Sequence, residues 1–300
     1  MFSKLSEPNK GVLFAVIAHL FWGGMAVYFG FMRHINPMEI AVNRGVWSVP
    51  IAAVVIWQLG LFKNVWANLK NPRTVLLLAF TSITIVFNWT LYIWCIQHGR
   101  TLDASLGYFI NPLLNVVVGY LFLGERFTRA QFLAIGLACL AVLVQTISSG
   151  VFPVIGLSLA SSFCLYGLLR KTVNVGAVEG FFIEVLILAV PLLLVEVWLA
   201  RQGEMHFGSN VFDTLMLLGC GGFTAGALIF FAASLKRLRY STAGLLQYIS
   251  PSLVFLTAVF LFKEHIDIWK FSSFAIIWLA LVIYSVSSLR EESAKEKPGF

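Results

Sequence analysis

SLGYFINPLLNVVVGYLFLGE, residues 105–125, is long and apolar enough to cross a bilayer, yet it carries Pro112 in its interior. An internal proline cannot donate to the helix ladder, and its ring clashes with the carbonyl four residues back. Here that carbonyl belongs to Tyr108. Asn111 flanks the proline and Asn115 follows one turn later. Tyr108, Asn111 and Asn115 are three and four residues apart, so they share one helix face. A freed carbonyl and two amides on one stripe suit a polar cavity, not lipid. The same design returns in LLQYISPSLVFLTAVFLFKE, residues 245–264. Pro251 falls on Pro112 at an offset of 139, and Glu264 falls on Glu125 at the same offset. The carbonyl freed by Pro251 is that of Gln247, so Gln247 and Ser250 stand where Tyr108 and Asn111 stand. Two such segments at matched spacing indicate a duplicated unit.

The rest of the chain fits a bilayer. It is 59% hydrophobic and 12% charged, with mean hydropathy +0.86, against about 25% charged in an average soluble domain. The apolar residues come in long runs near the ~20 residues that a spanning helix needs. These runs do not alternate, as the strands of a transmembrane barrel would. The reading is an all-α polytopic membrane protein. The net charge of +7 does not mark a nucleic-acid partner, because the basic residues occupy short loops. Cys95, Cys139, Cys164 and Cys220 all lie inside apolar runs, without metal-ligand spacing or a disulfide framework. No metal, cofactor or catalytic residue is expected. The chain has neither HExxH, nor a GxSxG elbow, nor a phosphate loop, and an intramembrane enzyme would lack its nucleophile–base pair. With no ATPase domain, active transport would have to use a gradient or exchange.

The first apolar run reaches Met32, too long for a signal-peptide core, and reads as a retained helix. Further spans are expected at about 38–60, 74–97, 102–123, 129–148, 151–169, 178–199, 212–235, 241–262 and 269–288, making roughly ten in all. Lysine and arginine segregate by side. One side receives fifteen: Lys4, Lys10, Lys63, Lys70, Arg73, Arg126, Arg129, Arg170, Lys171, Lys236, Arg237, Arg239, Arg290, Lys295 and Lys297. The other receives five: Arg33, Arg100, Arg201, Lys263 and Lys270. Arg44, inside a helix, completes the set. This bias puts both termini in the cytoplasm. The repeat divides the chain into a five-helix unit at 1–148, a second at 149–288 and a charged cytoplasmic tail at 289–300. Five is odd, so the second unit must enter the membrane upside down. That is the inverted-topology repeat of secondary transporters, whose substrate sites lie near the midplane.

These features resemble the EamA-type transporters of the drug/metabolite transporter superfamily. Four stretches resemble its RarD subgroup: FWGGMAVYF at 21–29, NRGVWS at 43–48, NWTLYIW at 88–94 and SLGYFINPL at 105–113. The resemblance covers nearly the whole chain, and the last motif is the most specific. It implies a permease of the bacterial inner membrane with a central cavity. The subgroup is named for a link to chloramphenicol sensitivity, which leaves the natural substrate open. The second half has Ser250 where the first has Asn111, and Ser161 where the first has Trp22, so residue roles do not transfer between halves by symmetry.

Several side chains stand out as site residues. Arg44 lies about six residues into the second helix, roughly 9 Å below the outer surface. A charge at the helix centre costs about 2.5–3.5 kcal/mol on insertion scales, and such residues face a cavity or a partner. Arg44 reads either as a clamp for an anionic group of a substrate or as a structural partner of Glu39 or of a backbone carbonyl. Glu184, 140 residues on, enters from the opposite face and reads either as a proton carrier or as a structural acid. His19, mid-way along the first helix, reads either as a proton relay or substrate contact or as a packed neutral ring. Asn88 and Tyr92 share a face of the third helix at four-residue spacing, and Asn88 reads either as facing the cavity or as a buried amide that joins helices. With Tyr108, Asn111, Asn115, Gln247 and Ser250 they make the expected substrate-binding set. The expected function is export of a small organic metabolite or drug-like solute, amphipathic or zwitterionic, by alternating access. The alternatives are an uncoupled facilitator and a non-transporting membrane sensor or scaffold. Beyond the solute and the lipid bilayer no partner is implied, and the oligomeric state is not encoded in these patterns.

The charge bias predicts opposite sidedness for the two matched glutamates. A reporter fused after Glu125 should read out cytoplasm, and one fused after Glu264 periplasm. The same side for both would rule out the inverted repeat.

Overall fold

The computed structural model describes residues 5–97, 101–149, 154–203, 205–260 and 268–296, and its elements there are helices. They are α1 (Glu7–Gly30), α2 (Pro37–Val46), α3 (Ser48–Gln58), α4 (Phe62–Leu69), α5 (Pro72–Gln97), α6 (Thr101–Phe122) and α7 (Arg129–Ser149). There follow α8 (Val154–Thr172), α9 (Ala177–Gln202), α10 (Val211–Leu235), α11 (Tyr240–Leu246), α12 (Ile249–Phe260) and α13 (Ile268–Glu296). Local signals set several ends. Ser6 accepts from the Asn9 amide at the start of α1, Asn36 from Met38 before α2, and Asn210 from Asp213 before α10. Such caps satisfy amides that have no partner inside the helix. Gly203, with φ 72°, ends α9 in the left-handed conformation that suits glycine.

Among the described residues, seven stretches are long and apolar enough to cross a membrane: Glu7–Gly30, Pro37–Gln58, Pro72–Tyr92, Arg129–Ser148, Val154–Thr172, Ala177–Gln202 and Val211–Leu235. Shorter apolar helices cover Gly107–Phe122 and Phe271–Ser287. The protein is therefore a multi-pass membrane protein. The expected ninth span, 241–262, is not one helix. It divides into α11 and α12 with Gln247 and Tyr248 between them. Residues 61–73, which carry no helical signal beyond a few apolar positions, contain α4. Phe62 and Trp66 are exposed there, Val65 is buried, and Lys70 stands 5.6 Å from the centre of the Trp66 ring. This is the pattern of a short helix lying in the membrane interface.

The two prolines matched by the repeat, Pro112 and Pro251, act differently. Pro112 sits inside an uninterrupted α6. Pro251 sits in the first turn of α12, where its missing amide is tolerated. The Gln247 carbonyl is not free, as proline geometry alone implies. It accepts the Ser250 amide at 3.2 Å in a tight turn. Gln247 and Tyr248 in turn donate their amides three residues back, to Gly244 and Leu245 at 3.0 and 3.1 Å. The break is thus a local tightening of the backbone that keeps its polar groups paired.

Packing joins distant parts of the chain. α1 lies against α10 and α12, α2 against α9, α5 against α8, α6 against α8 and α11, and α7 against α13. Small residues permit close approach, as membrane helices require. A Cβ added at Gly23 would stand 2.6 Å from Leu253. Ala134, Ala138 and Ala141 of α7 are fully buried in the cluster that contains Phe274 and Ile277 of α13. The largest core gathers Ala15, Ala18, Tyr166, Phe181, Phe231 and Tyr240 from five helices.

Carboxylates tie the ends together. At one end, fully buried Glu39 accepts from the backbone amides of His206 and Phe207, both at 2.8 Å, and pairs with His206 Nδ1 at 3.1 Å. His34 and Asp213 pair beside it at 2.9 Å. At the other end, Glu125 accepts the amide and hydroxyl of Ser241 and the amide of Tyr240, which are the first donors of α11. Glu125 is thus a cap supplied from another segment. Glu125→Ala should lower stability by about 1–3 kcal/mol, the cost of leaving buried donors unpaired. Glu125→Gln should lose less, because the amide oxygen still accepts. Thermal unfolding of the purified protein in detergent would check this, and wild-type stability of the alanine variant would remove the cap from the account.

Candidate functional site

The candidate residues come from five regions of chain: α1, α2, the facing pair α5 and α6, α10, and the α11–α12 break. Arg44 comes from α2. Its Nε donates to Thr224 Oγ1 of α10 at 3.1 Å, and its guanidinium stands 5.1 Å from the Trp89 ring centre and 5.6 Å from that of Phe29. Both distances are those of cation–π attraction. The Tyr92 and Tyr108 phenols are near enough to act on it electrostatically, and their rings meet edge to face at 5.7 Å. Among the described residues no carboxylate lies within 4 Å of Arg44. Glu39, the alternative partner, is engaged with His206 and Phe207 instead.

One and two turns along α6 from Tyr108 are the amides. Asn111 Nδ2 donates to Gln247 Oε1 at the break. Asn111 Oδ1, Gln247 Nε2 and both amide atoms of Asn115 are buried without a hydrogen-bond partner among the described residues. An unpaired buried polar atom costs about 1–3 kcal/mol, so this cluster holds hydrogen-bonding capacity that a solute or water can use. α6 and α11 touch closely beside it, since a Cβ at Gly244 would stand 2.6 Å from Asn115 Cβ. Tyr248 donates its hydroxyl to the Phe109 carbonyl at 2.9 Å, one residue beyond the Tyr108 carbonyl that Pro112 deprives of its ladder donor.

His19 is buried on α1, with Nδ1 3.0 Å from Ser250 Oγ. Ser250 Oγ also lies 3.3 Å from the His19 carbonyl. The imidazole packs on Trp22 and Phe231, and its Nε2 has no partner. His19 thus links α1 to α12 just beyond the break.

Two expected site residues are engaged elsewhere. Asn88 Nδ2 donates to the Leu159 carbonyl at 2.8 Å and to Ser162 Oγ at 2.9 Å, tying α5 to α8. Glu184 accepts from Thr81 Oγ1 at 2.6 Å and Tyr166 OH at 3.3 Å, and lies 3.6 Å from Arg170 Nε. Arg170, read from sequence as a loop cation, is wholly buried and also donates to the Ala177 carbonyl. This buried network fixes α5, α8 and α9, and it is separate from Arg44.

Sequence reasoning missed Phe29, Thr224 and Tyr248. Phe29 had a signal, since His19, Trp22 and Phe29 follow three- and seven-residue steps on one face of α1. Thr224 had none, because its partner is 180 residues away.

The model of the EamA-like transporter family matches residues 9–147. An "uncharacterized transporter" of Vibrio cholerae is 39% identical to this chain, over 97% of each. The protein called RarD in Salmonella typhi is 38% identical, over 96% of this chain and 99% of its own. A solved crystal structure superposes with a TM-score of 0.72 at 17% identity, covering 92% of this chain and 97% of that one. It bears on the fold alone.

The tight contact at the amide cluster predicts a contrast between two glycines. Gly244→Ala should separate α11 from α6 and cost about 1–3 kcal/mol. Gly136→Ala, where a new Cβ meets nothing within 4 Å, should stabilise by up to about 1 kcal/mol through helix propensity. Detergent unfolding of both variants would check this, and equal effects would mean that the contact near Asn115 is loose.

Proposed function

Because this chain belongs to the EamA-like transporter family, we propose that it is a secondary carrier that exports a small organic solute across the bacterial inner membrane. The family is one of transporters, not of enzymes. Arg44 is the observation that carries this reading. A guanidinium held over two aromatic rings, with no carboxylate among the described residues beside it, is poised for a negative group on a solute. Tyr92 and Tyr108 border it, and the amides of Asn111, Asn115 and Gln247 supply polar contacts that set orientation.

The solute crosses by alternating access between two inverted five-helix units, 1–148 and 149–288, with both termini cytoplasmic. Helix pairing supports this. In the expected repeat the first helix matches the sixth and the third matches the eighth. Exchanging the units therefore turns the α1–α10 pair into the α8–α5 pair, and both pairs pack. The Tyr248–Phe109 hydrogen bond also spans 139 residues, the repeat offset. The α11–α12 break supplies the bending point, and His19–Ser250 the contact that must be made and broken. The test is untargeted metabolite profiling of cells lacking or overproducing the protein. A solute that rises inside the former and falls inside the latter identifies the cargo.

With that cargo in proteoliposomes, Arg44→Ala should reduce transport by about tenfold or more while the protein remains inserted. Arg44→Lys should recover little, because an ammonium lacks the planar fork that grips a carboxylate. Equal rates for arginine, lysine and alanine would remove Arg44 from the role.

A further inference from the structure

The ions of this fold are arranged in two ways. Those that brace helices have partners: Arg170 with Glu184, Glu39 with His206, Asp213 with His34, and Arg239 with Glu125 and Glu291. Arg44 is different. Among the described residues its side chain makes one hydrogen bond, to a neutral hydroxyl, its neighbours include the rings of Phe29 and Trp89, the Cys220 thiol and the phenols of Tyr92 and Tyr108, and no carboxylate lies within 4 Å. With Nε taken by Thr224, the two terminal nitrogens remain as parallel donors, the geometry that binds a carboxylate in two places.

From this we infer that the carrier is an exchanger of organic anions, each bearing one carboxylate. The inference rests on the reading of Arg44 as the solute clamp and adds two things to it. The first is charge. A zwitterion would satisfy Arg44 with its carboxylate but bring an ammonium group, and among the described residues no acid stands beside Arg44 to receive it. A monoanion leaves the pair neutral. The second is mode. Alternating access passes through a state sealed from water at both ends. In the empty carrier that state would enclose an unpaired cation, which is strongly unfavourable in a low-dielectric interior. In the loaded carrier it encloses a neutral ion pair flanked by aromatic rings. The empty carrier therefore returns slowly and the loaded one quickly, so solute leaves fast only when another anion comes back.

The probe is a deproteinised bacterial metabolite extract, separated by ion exchange into anionic, zwitterionic or neutral, and cationic pools. Proteoliposomes holding the full-length protein and the whole extract are diluted either into buffer or into buffer containing one pool, and internal solutes are followed by mass spectrometry. Efflux of monocarboxylates should accelerate about tenfold or more when the anionic pool is outside, and the other pools should give no acceleration. Arg44→Gln should abolish this dependence. Arg44→Lys should keep the preference for anions at lower rates, which separates loss of charge from loss of folding. Equally fast efflux into plain buffer would overturn exchange. Movement of zwitterions or cations alone would overturn the substrate class while leaving the carrier reading intact. If the wild-type protein moves no solute from any pool, the carrier reading itself fails, and the inference with it.

Discussion

Hydrocarbon offers no hydrogen bonds, so every irregularity in a membrane helix must be repaired by protein. Much of this structure follows from how it repairs one irregularity, the α11–α12 break. The Gln247 carbonyl turns to the Ser250 amide. The first amides of α11 turn to Glu125, which arrives from the end of α6. The Tyr248 hydroxyl turns to the Phe109 carbonyl, next to the other proline. Each repair crosses from one helix to another except the first. These contacts brace the α11–α12 break and α6 against each other. The amides of Asn111 and Gln247 meet there.

Around that point the polar groups divide by whether they have partners. Asn88 Nδ2 and the Glu184 carboxylate are bonded to atoms of other helices. The Asn115 amide, one edge of the His19 ring, and Nε and Nη1 of Arg170 are without a hydrogen-bond partner among the described residues, where Arg44 makes one hydrogen bond, to a neutral hydroxyl; Asn115 and His19 lie on helices packed against the break, α6 and α1. Burial alone does not sort these residues. Glu184 and Asn115 are both almost wholly buried. What sorts them is whether the surrounding helices have already supplied the complementary atom.

Much of this was legible in the sequence, and the limits are instructive. Period, hydropathy and proline position located most spans and the region of the break, because those signals are local. Asn111 and Gln247 were identified separately, and the structure brings their side chains together. The difference between the two prolines was not legible. Pro112 and Pro251 occupy matching places, but whether a helix continues past a proline depends on what its neighbours offer. Arg170 was read as a loop cation because it stands beside Lys171 at a helix end. Its burial depends on Glu184, which lies on another helix. α4 escaped because eight residues with two exposed aromatics make too short a pattern to separate from a loop. In each case the missing information was the identity of a partner distant in sequence.

The pairing of helices across the chain also has a consequence for biosynthesis. His19 and Ser250, which meet at 3.0 Å, are separated by 231 residues. At about 5–20 residues per second, a ribosome needs roughly 10–50 s to cover that distance. During that interval α1 is in the membrane without α10 or α12, and His19 is without its hydroxyl partner. α7 waits in the same way for α13. The first half must therefore persist as an inserted but unassembled set of helices, with polar side chains shielded by temporary neighbours or by the insertion machinery. Final packing is a late event that follows release of the last helix, and the interval before it is when membrane quality control has access to the chain.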